Sequence, residues 1–281
     1  MSINPLRDRI NSLPLIIAGP ILRRTEANSV TVWVALKNAA TLTLNIYEGG
    51  RVVPNKLKLT GSTSTVQMGD YLHIAAVTAS RGSALQPHQL YCYDMLFQNS
   101  SGQKDLAAPG VFHAGGISNS KDSIGLCYGT YERPTFVLPS TELSDLRIIH
   151  GSCRKPHGGE DDALAYLDKL IEDSHNKVGT RQDIVAQGGG EPRPHQCYFT
   201  GDQIYADDVA APLLMLLDNA GKDLFGWVEL LYGAGTPEEV TDELPAVLKP
   251  GKREKIITEV AKLTAYGKGT SHLMRMSEFF S

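Results

Sequence analysis

A carboxylate, a phenol and two further acids stand together in Gly201-Asp-Gln-Ile-Tyr-Ala-Asp-Asp-Val209, and a thiol stands beside two cations in Gly151-Ser-Cys-Arg-Lys155. Asp202 and Tyr205 can converge on one hard cation through their oxygens, and Cys153 adds a softer donor. What these groups can do depends on the elements that carry them. The segment Gln196-Cys-Tyr-Phe-Thr200 favours a pleated, buried strand, and Gly201 gives a tight exit from it. Beyond it, Val209, Leu213, Leu216 and Leu217 recur at helical spacing. Asp207 or Asp208 is placed to cap the first turn, and Pro212 is early enough to be tolerated. Asp202 to Tyr205 therefore form a strand-to-helix loop, at the edge where open α/β sheets usually bind ligands. Simpler roles stay open: Asp202 as a turn opener, Asp207 and Asp208 as caps.

A second unit repeats the pattern. Leu146-Arg-Ile-Ile149 reads as another buried strand and runs into the loop His150-Gly-Ser-Cys-Arg-Lys-Pro-His-Gly-Gly159. A helix follows, with Leu164, Leu167, Leu170 and Ile171 on one face and Asp161 or Asp162 at its start. If the two strands are parallel neighbours, both loops leave the same sheet edge and Cys153 comes near Asp202. A thiolate, a carboxylate and a phenolate would then share one site. The alternative for Cys153 is an inert, small apolar residue.

The pair Gly151-Ser-Cys-Arg-Lys155 and Gly201-Asp-Gln-Ile-Tyr-Ala-Asp-Asp208 resembles the PhoD-type phosphatases of the metallophosphoesterase superfamily. The resemblance implies an amino-terminal β-sandwich followed by a four-layer α/β/β/α catalytic domain that hydrolyses phosphate monoesters and diesters. It also implies one ferric ion with calcium beside it, and maps an iron-binding cysteine onto Cys153, a bridging aspartate onto Asp202 and a tyrosine ligand onto Tyr205. Thiolate and phenolate donors suit trivalent iron, while a bridging carboxylate holds a second, oxygen-loving cation. Two such cations activate a water and orient the phosphate, so no protein nucleophile is required and no catalytic side chain is assigned. Arg154, with bidentate geometry, is the candidate substrate-binding residue, with Lys155 beside it and His157 as a further candidate. Arg154 and Lys155 could equally be solvated loop charges, and a lone loop histidine such as His157 is more often just exposed.

Members of that family supply further ligands from an Asp-Asp-His-type segment and a later histidine, and this sequence contains no Asp-Asp-His. The resemblance thus implies an incomplete, apparently truncated metallophosphoesterase domain. The final segment carries Leu273, Met274, Met276, Phe279 and Phe280, and this apolar run calls for a partner chain or self-association. Besides a metal-dependent hydrolase, two other readings follow: a non-catalytic binding or regulatory module descended from one, and a purely structural pair of domains.

The expected fold class is β plus α/β. From Leu15 to Ala114, alternation over Val30–Val34, Thr41–Tyr47, Leu72–Thr78 and Gln89–Phe97 points to an antiparallel sandwich of immunoglobulin or fibronectin type. The bend Leu85-Gln-Pro-His-Gln-Leu-Tyr91 resembles one in fibronectin-like modules where a tyrosine pins a corner. The expected domains are 1–114 for the sandwich, 115–144 for a linker and 145–281 for the incomplete catalytic part. Ser174 to Pro194, with three successive glycines, reads as a flexible insertion, and Pro250 to Leu263 as an amphipathic helix with Ile256, Ile257, Val260 and Leu263 inward.

With 281 residues, 42% hydrophobic, the chain can bury one or two cores, and a formal net charge of -4 without a basic run gives no reason to expect nucleic acid. Four cysteines without a Cys-x-x-Cys pair argue against a zinc ribbon or a disulfide framework. The apolar run after Arg7 and Arg9 is broken by Pro14 and Pro20, so it reads as a lead-in strand, not a signal or a membrane span. The expectation is a cytoplasmic protein.

Overall fold

Alternating apolar and polar residues build two antiparallel sheets around one core. The computed structural model describes residues 6–119, 125–155, 159, 161–207, 209–227, 229, 248–263 and 269–281. The chain divides into two units. One comprises Leu13–Gln67 and His73–Gln203, the other Met1–Ser12, Met68–Leu72 and Ile204–Ser281. Among the described residues no helix is long and apolar enough to cross a membrane.

Strands β1 (Ile16–Glu26), β2 (Ser29–Leu36), β6 (Leu72–Ala79) and β5 (Val66–Gly69) form a four-stranded sheet in that order. A second sheet runs β10 (Thr135–Val137), β8 (Leu90–Asn99), β3 (Thr41–Glu48), β4 (Leu57–Ser64) and β7 (Arg81–Gly82), with β9 (Gly102–Lys104) on β8. Every second residue of β2 and β3 points inward: Val30, Val32, Val34, Leu36, Leu42, Leu44 and Ile46 are all 0% exposed. With Ala75 and Val77 from β6 and Tyr91, Tyr93, Met95 and Phe97 from β8, they form one cluster. Each large aliphatic side chain so buried contributes about 1.5–3 kcal/mol relative to exposure. Tyr91 is buried, and its hydroxyl accepts the Gln86 N–H at 2.7 Å, so the tyrosine pins the bend that precedes its own strand.

The stretch 115–144, expected as a linker, instead contributes β10, which pairs with β8, and sends Ile117, Cys127, Phe136 and Leu138 into the sandwich core. Its lack of periodicity hid this, because β10 is only three residues long. Ser174 to Pro194 also departs from the flexible insertion expected. Helix α3 (Arg181–Ala186) opens on a capping box between Thr180 and Asp183, and Ile184 is buried. Arg193, 5% exposed, donates to Thr135 Oγ1 (2.9 Å), Thr135 O (2.6 Å) and His175 O (3.0 Å), tying this stretch to β10.

The second unit holds α1 (Leu6–Arg9), α4 (Ala211–Phe225), a π-helical turn at Ile256–Val260 and α5 (Met276–Phe279). Three expectations are corrected here. Helix α4 is capped by Ala210 without a side-chain bond and not by Asp207, while Asp208 lies outside the described residues. Its buried face is Leu214, Asp218, Gly221, Leu224 and Phe225, with Leu213 and Leu216 exposed. In the 250–263 segment Ile256 and Ile257 are buried, but Val260 and Leu263 are exposed, because the π-helical turn and the left-handed Lys262 (φ 53) break the helical phase.

The apolar carboxyl-terminal segment is largely covered from within its own unit. Leu273 is 4% exposed, and only Phe279 and Phe280, at 41% and 39%, stay in solvent. What seats it is charge. Arg253 donates to both Glu278 oxygens at 2.9 and 2.7 Å with both side chains 0% exposed, and Arg275 pairs with Asp218 at 2.9 Å. Burial alone would raise the Glu278 carboxyl, but the Arg253 hydrogen bonds and charge, with the Met274 and Arg275 N–H donors, hold it below its ordinary value.

Candidate functional site

Strands β11 (Ile148–Ser152) and β12 (Gln196–Thr200) pair in parallel, from Ile148 opposite Gln196 to Ser152 opposite Thr200. A parallel pair sends both chain exits to one edge, so the loops that begin at Cys153 and Gly201 leave side by side. The Cys153 N–H donates to Thr200 O at 3.0 Å, and the Ser152 hydroxyl lies 3.3 Å from the Cys153 thiol. Across the pair, His150 Nε2 meets Thr200 Oγ1 at 2.9 Å.

Gly201 is required at the joint for two reasons. Its φ is 66°, a left-handed conformation that favours glycine, and a Cβ there would lie 2.5 Å from Cys153 Sγ and 2.9 Å from Ser152 Oγ. Cys153 itself adopts φ 57°, which a side chain bearing a Cβ enters only at a cost of about 1–2 kcal/mol. The thiol is therefore held in a strained turn against the facing loop.

Helix α2 (Ala163–Ser174) starts beside this edge. Asp162 is its N-cap, with Oδ1 accepting the Leu164 N–H at 3.0 Å, while Oδ2 accepts from Arg154 Nε at 3.1 Å and Nη2 at 2.6 Å. The Arg154 hydrogen bonds come first in lowering the Asp162 carboxyl, and the same bonds raise the guanidinium. Between helix and sheet edge lies a cleft of about 380 Å³. It is lined by Ile149 to Lys155, Gly159, the first turn of α2, Leu167, Phe199 and Gln203. Both strands, expected to be buried, are instead open: Ile148, Tyr198 and Phe199 are 49%, 49% and 46% exposed, since two strands alone do not cover their own faces.

The three metal-ligand candidates fall as follows. Cys153 lines the cleft, and Asp202 follows Gly201 on the facing loop, exposed and outside the cleft lining, in which Gln203 takes part. Tyr205 is half-buried and belongs to the other unit. Arg154 and Lys155 line the cleft, while His157 lies outside the described residues. A thiol and a carboxylate on adjacent loops fit the first donors of a single ion. Among the described residues no group of three or more His, Cys, Asp and Glu is gathered to hold a metal, so they do not by themselves make a two-ion shell.

Three lining residues escaped the sequence reading as parts of the site. In the sequence His150 stands at the start of a loop, Asp162 at a helix start, and Gln203 within the strand-to-helix loop. The eight-residue step from Arg154 to Asp162 matches neither helical nor strand periodicity, so only the N-cap signal was visible. Compared with protein-family models and with curated proteins, the chain matches none.

Proposed function

We propose that the chain carries the site of a metal-dependent phosphoester hydrolase of PhoD type, set behind an immunoglobulin- or fibronectin-like sandwich. One observation supports it above the others. The parallel β11–β12 register brings the strained Cys153 turn against Gly201, one residue from Asp202, at the edge of a cleft with two cations. Non-glycine residues held in left-handed backbone concentrate at functional sites, where the surrounding structure sustains the strain. The Tyr91 corner supports the sandwich half of the reading.

On this reading Cys153, Asp202 and Tyr205 would hold iron, with calcium beside it. When bound, these ions supply a water of lowered pKa and positive charge for the phosphate oxygens. The chain's own residues do the rest. Gly201 lets the two loops approach closely, Arg154 offers a planar fork to a phosphate monoester or diester, and Lys155 adds positive charge. The chain's few, widely spaced cysteines suit a reducing cytoplasm, the location proposed for it, which cell fractionation tests. The small described donor set favours a second reading, a non-catalytic module that binds a phosphoester or one ion without turnover.

Hydrolysis of a chromogenic phosphodiester with added iron and calcium separates the two. Turnover that disappears in Asp202→Asn supports the hydrolase. Iron bound with a visible phenolate band, lost in Tyr205→Phe, but no turnover supports the binding module. Turnover unaffected by Asp202→Asn sinks the site assignment.

A further inference from the structure

Arg154 and Asp162 form an exposed pair, with side chains 45% and 40% accessible, and such pairs add little to stability. Their geometry is more specific than their energy. Arg154 uses its side edge, Nε and Nη2, on a single oxygen of Asp162. The other oxygen of that carboxylate is fixed by the Leu164 N–H at 3.0 Å. The guanidinium is thereby referenced to the first turn of a twelve-residue helix through one rigid carboxylate. A guanidinium has a second edge, Nη1 with Nη2, whose spacing matches two oxygens of a phosphate or carboxylate. Arg154 lines the cleft together with Lys155 and the amino end of α2, where a helix dipole favours negative charge.

We infer that Asp162 is a positioning residue that aims the Arg154 end edge into the cleft to clamp an oxyanion of the phosphoester class. The inference rests on the hydrolase reading for the identity of the oxyanion, though it invokes no metal. It assigns Asp162 a task beyond capping, since Asn caps a helix about as well as Asp but offers a guanidinium only a neutral oxygen. The competing role for the carboxylate is to neutralise Arg154 and repel anions, which predicts the opposite sign.

Binding of inorganic phosphate to the full chain, followed by calorimetry at about 0.5 M salt to screen long-range repulsion, decides between them. The expected result is that Asp162→Asn and Arg154→Lys each weaken phosphate binding by roughly tenfold, the scale of one charge-assisted contact. The double variant should be no weaker than either single one, as for two residues acting as one unit. An unchanged thermal midpoint of Asp162→Asn shows that the cap is kept. Equal or tighter binding by Asp162→Asn overturns the inference, as do independent, additive losses in the double variant. Absence of phosphate binding by the unaltered chain also overturns it. Metal retained through Cys153 and Asp202 in that last case would leave the metal reading standing, so the two failures are distinguishable.

Discussion

Gly201→Ala places a methyl group where the two loops meet, and its cost can be worked from the backbone. Alanine at φ 66° costs about 1–2 kcal/mol for the left-handed conformation. The new Cβ would sit 2.5 Å from Cys153 Sγ and 2.9 Å from Ser152 Oγ, so something must shift. Overpacking of this kind costs about 1–3 kcal/mol, and the low end applies because Cys153 and Ser152 are exposed and can give way. The sum is about 2–3 kcal/mol. Urea denaturation of the full chain should show this as a lowered midpoint at unchanged slope. Labelling with a thiol reagent should show altered reactivity of Cys153 while Cys92 and Cys127, buried in the sandwich, stay slow. The Cys153→Gly change relieves φ 57° at the facing position and should stabilise the chain by up to about 1 kcal/mol. If Gly201→Ala lies within about 0.5 kcal/mol of the parent and Cys153 labels at the parent rate, the close approach of the two loops is wrong.

Other perturbations probe the frame around the site. Tyr91→Phe leaves the Gln86 N–H without its partner beside the sandwich core and should cost about 1–3 kcal/mol in urea denaturation. Arg193→Met removes three hydrogen bonds to Thr135 and His175 and should cost about 2 kcal/mol or more, with faster amide exchange in β10 and around α3. Glu278→Gln strips the Arg253 guanidinium of its buried counter-charge and should cost about 3–5 kcal/mol. Because the folded carboxyl lies below its ordinary value of 4.5, its contribution is present above that pH and is lost as pH falls through the folded value. Acid unfolding followed by circular dichroism should therefore flatten in Glu278→Gln below about pH 4.5. His195 works in the same direction: burial first, then the Arg147 charge, lowers it to about 4, so stability falls between pH 6.5 and 4. A His195→Asn chain, titrated in the same assay, should lose that portion of the dependence.

The parallel pair at the site was legible because strand, loop and helix recur twice in order, which leaves few topologies. The sandwich strands were legible for a similar reason: alternation over β2 and β3 has period two and admits one inward face. Helix α4 shows where the pattern gave out. Leu213-Leu-Met-Leu-Leu217 is apolar on every side and carries no phase. The phase is set instead by Gly221, whose Cβ would lie 2.7 Å from Ser277 O, and by Asp218, drawn inward to Arg275. The carboxyl-terminal segment was misread as uncovered because its buried partners are charges far apart in sequence, Arg253 with Glu278 and Asp218 with Arg275. At the site, the residue types identified donors, but only the register and the Gly201 contact put thiol and carboxylate on touching loops.

On the proposed function, Cys153 and Asp202 would hold a metal ion between those loops. Elemental analysis of the full chain after loading with iron and calcium, alongside Cys153→Ser and Asp202→Asn, tests it most directly. Stoichiometric metal in the parent and its loss in both variants is the expected result. Metal absent from the loaded parent, or bound equally by all three chains, would contradict it.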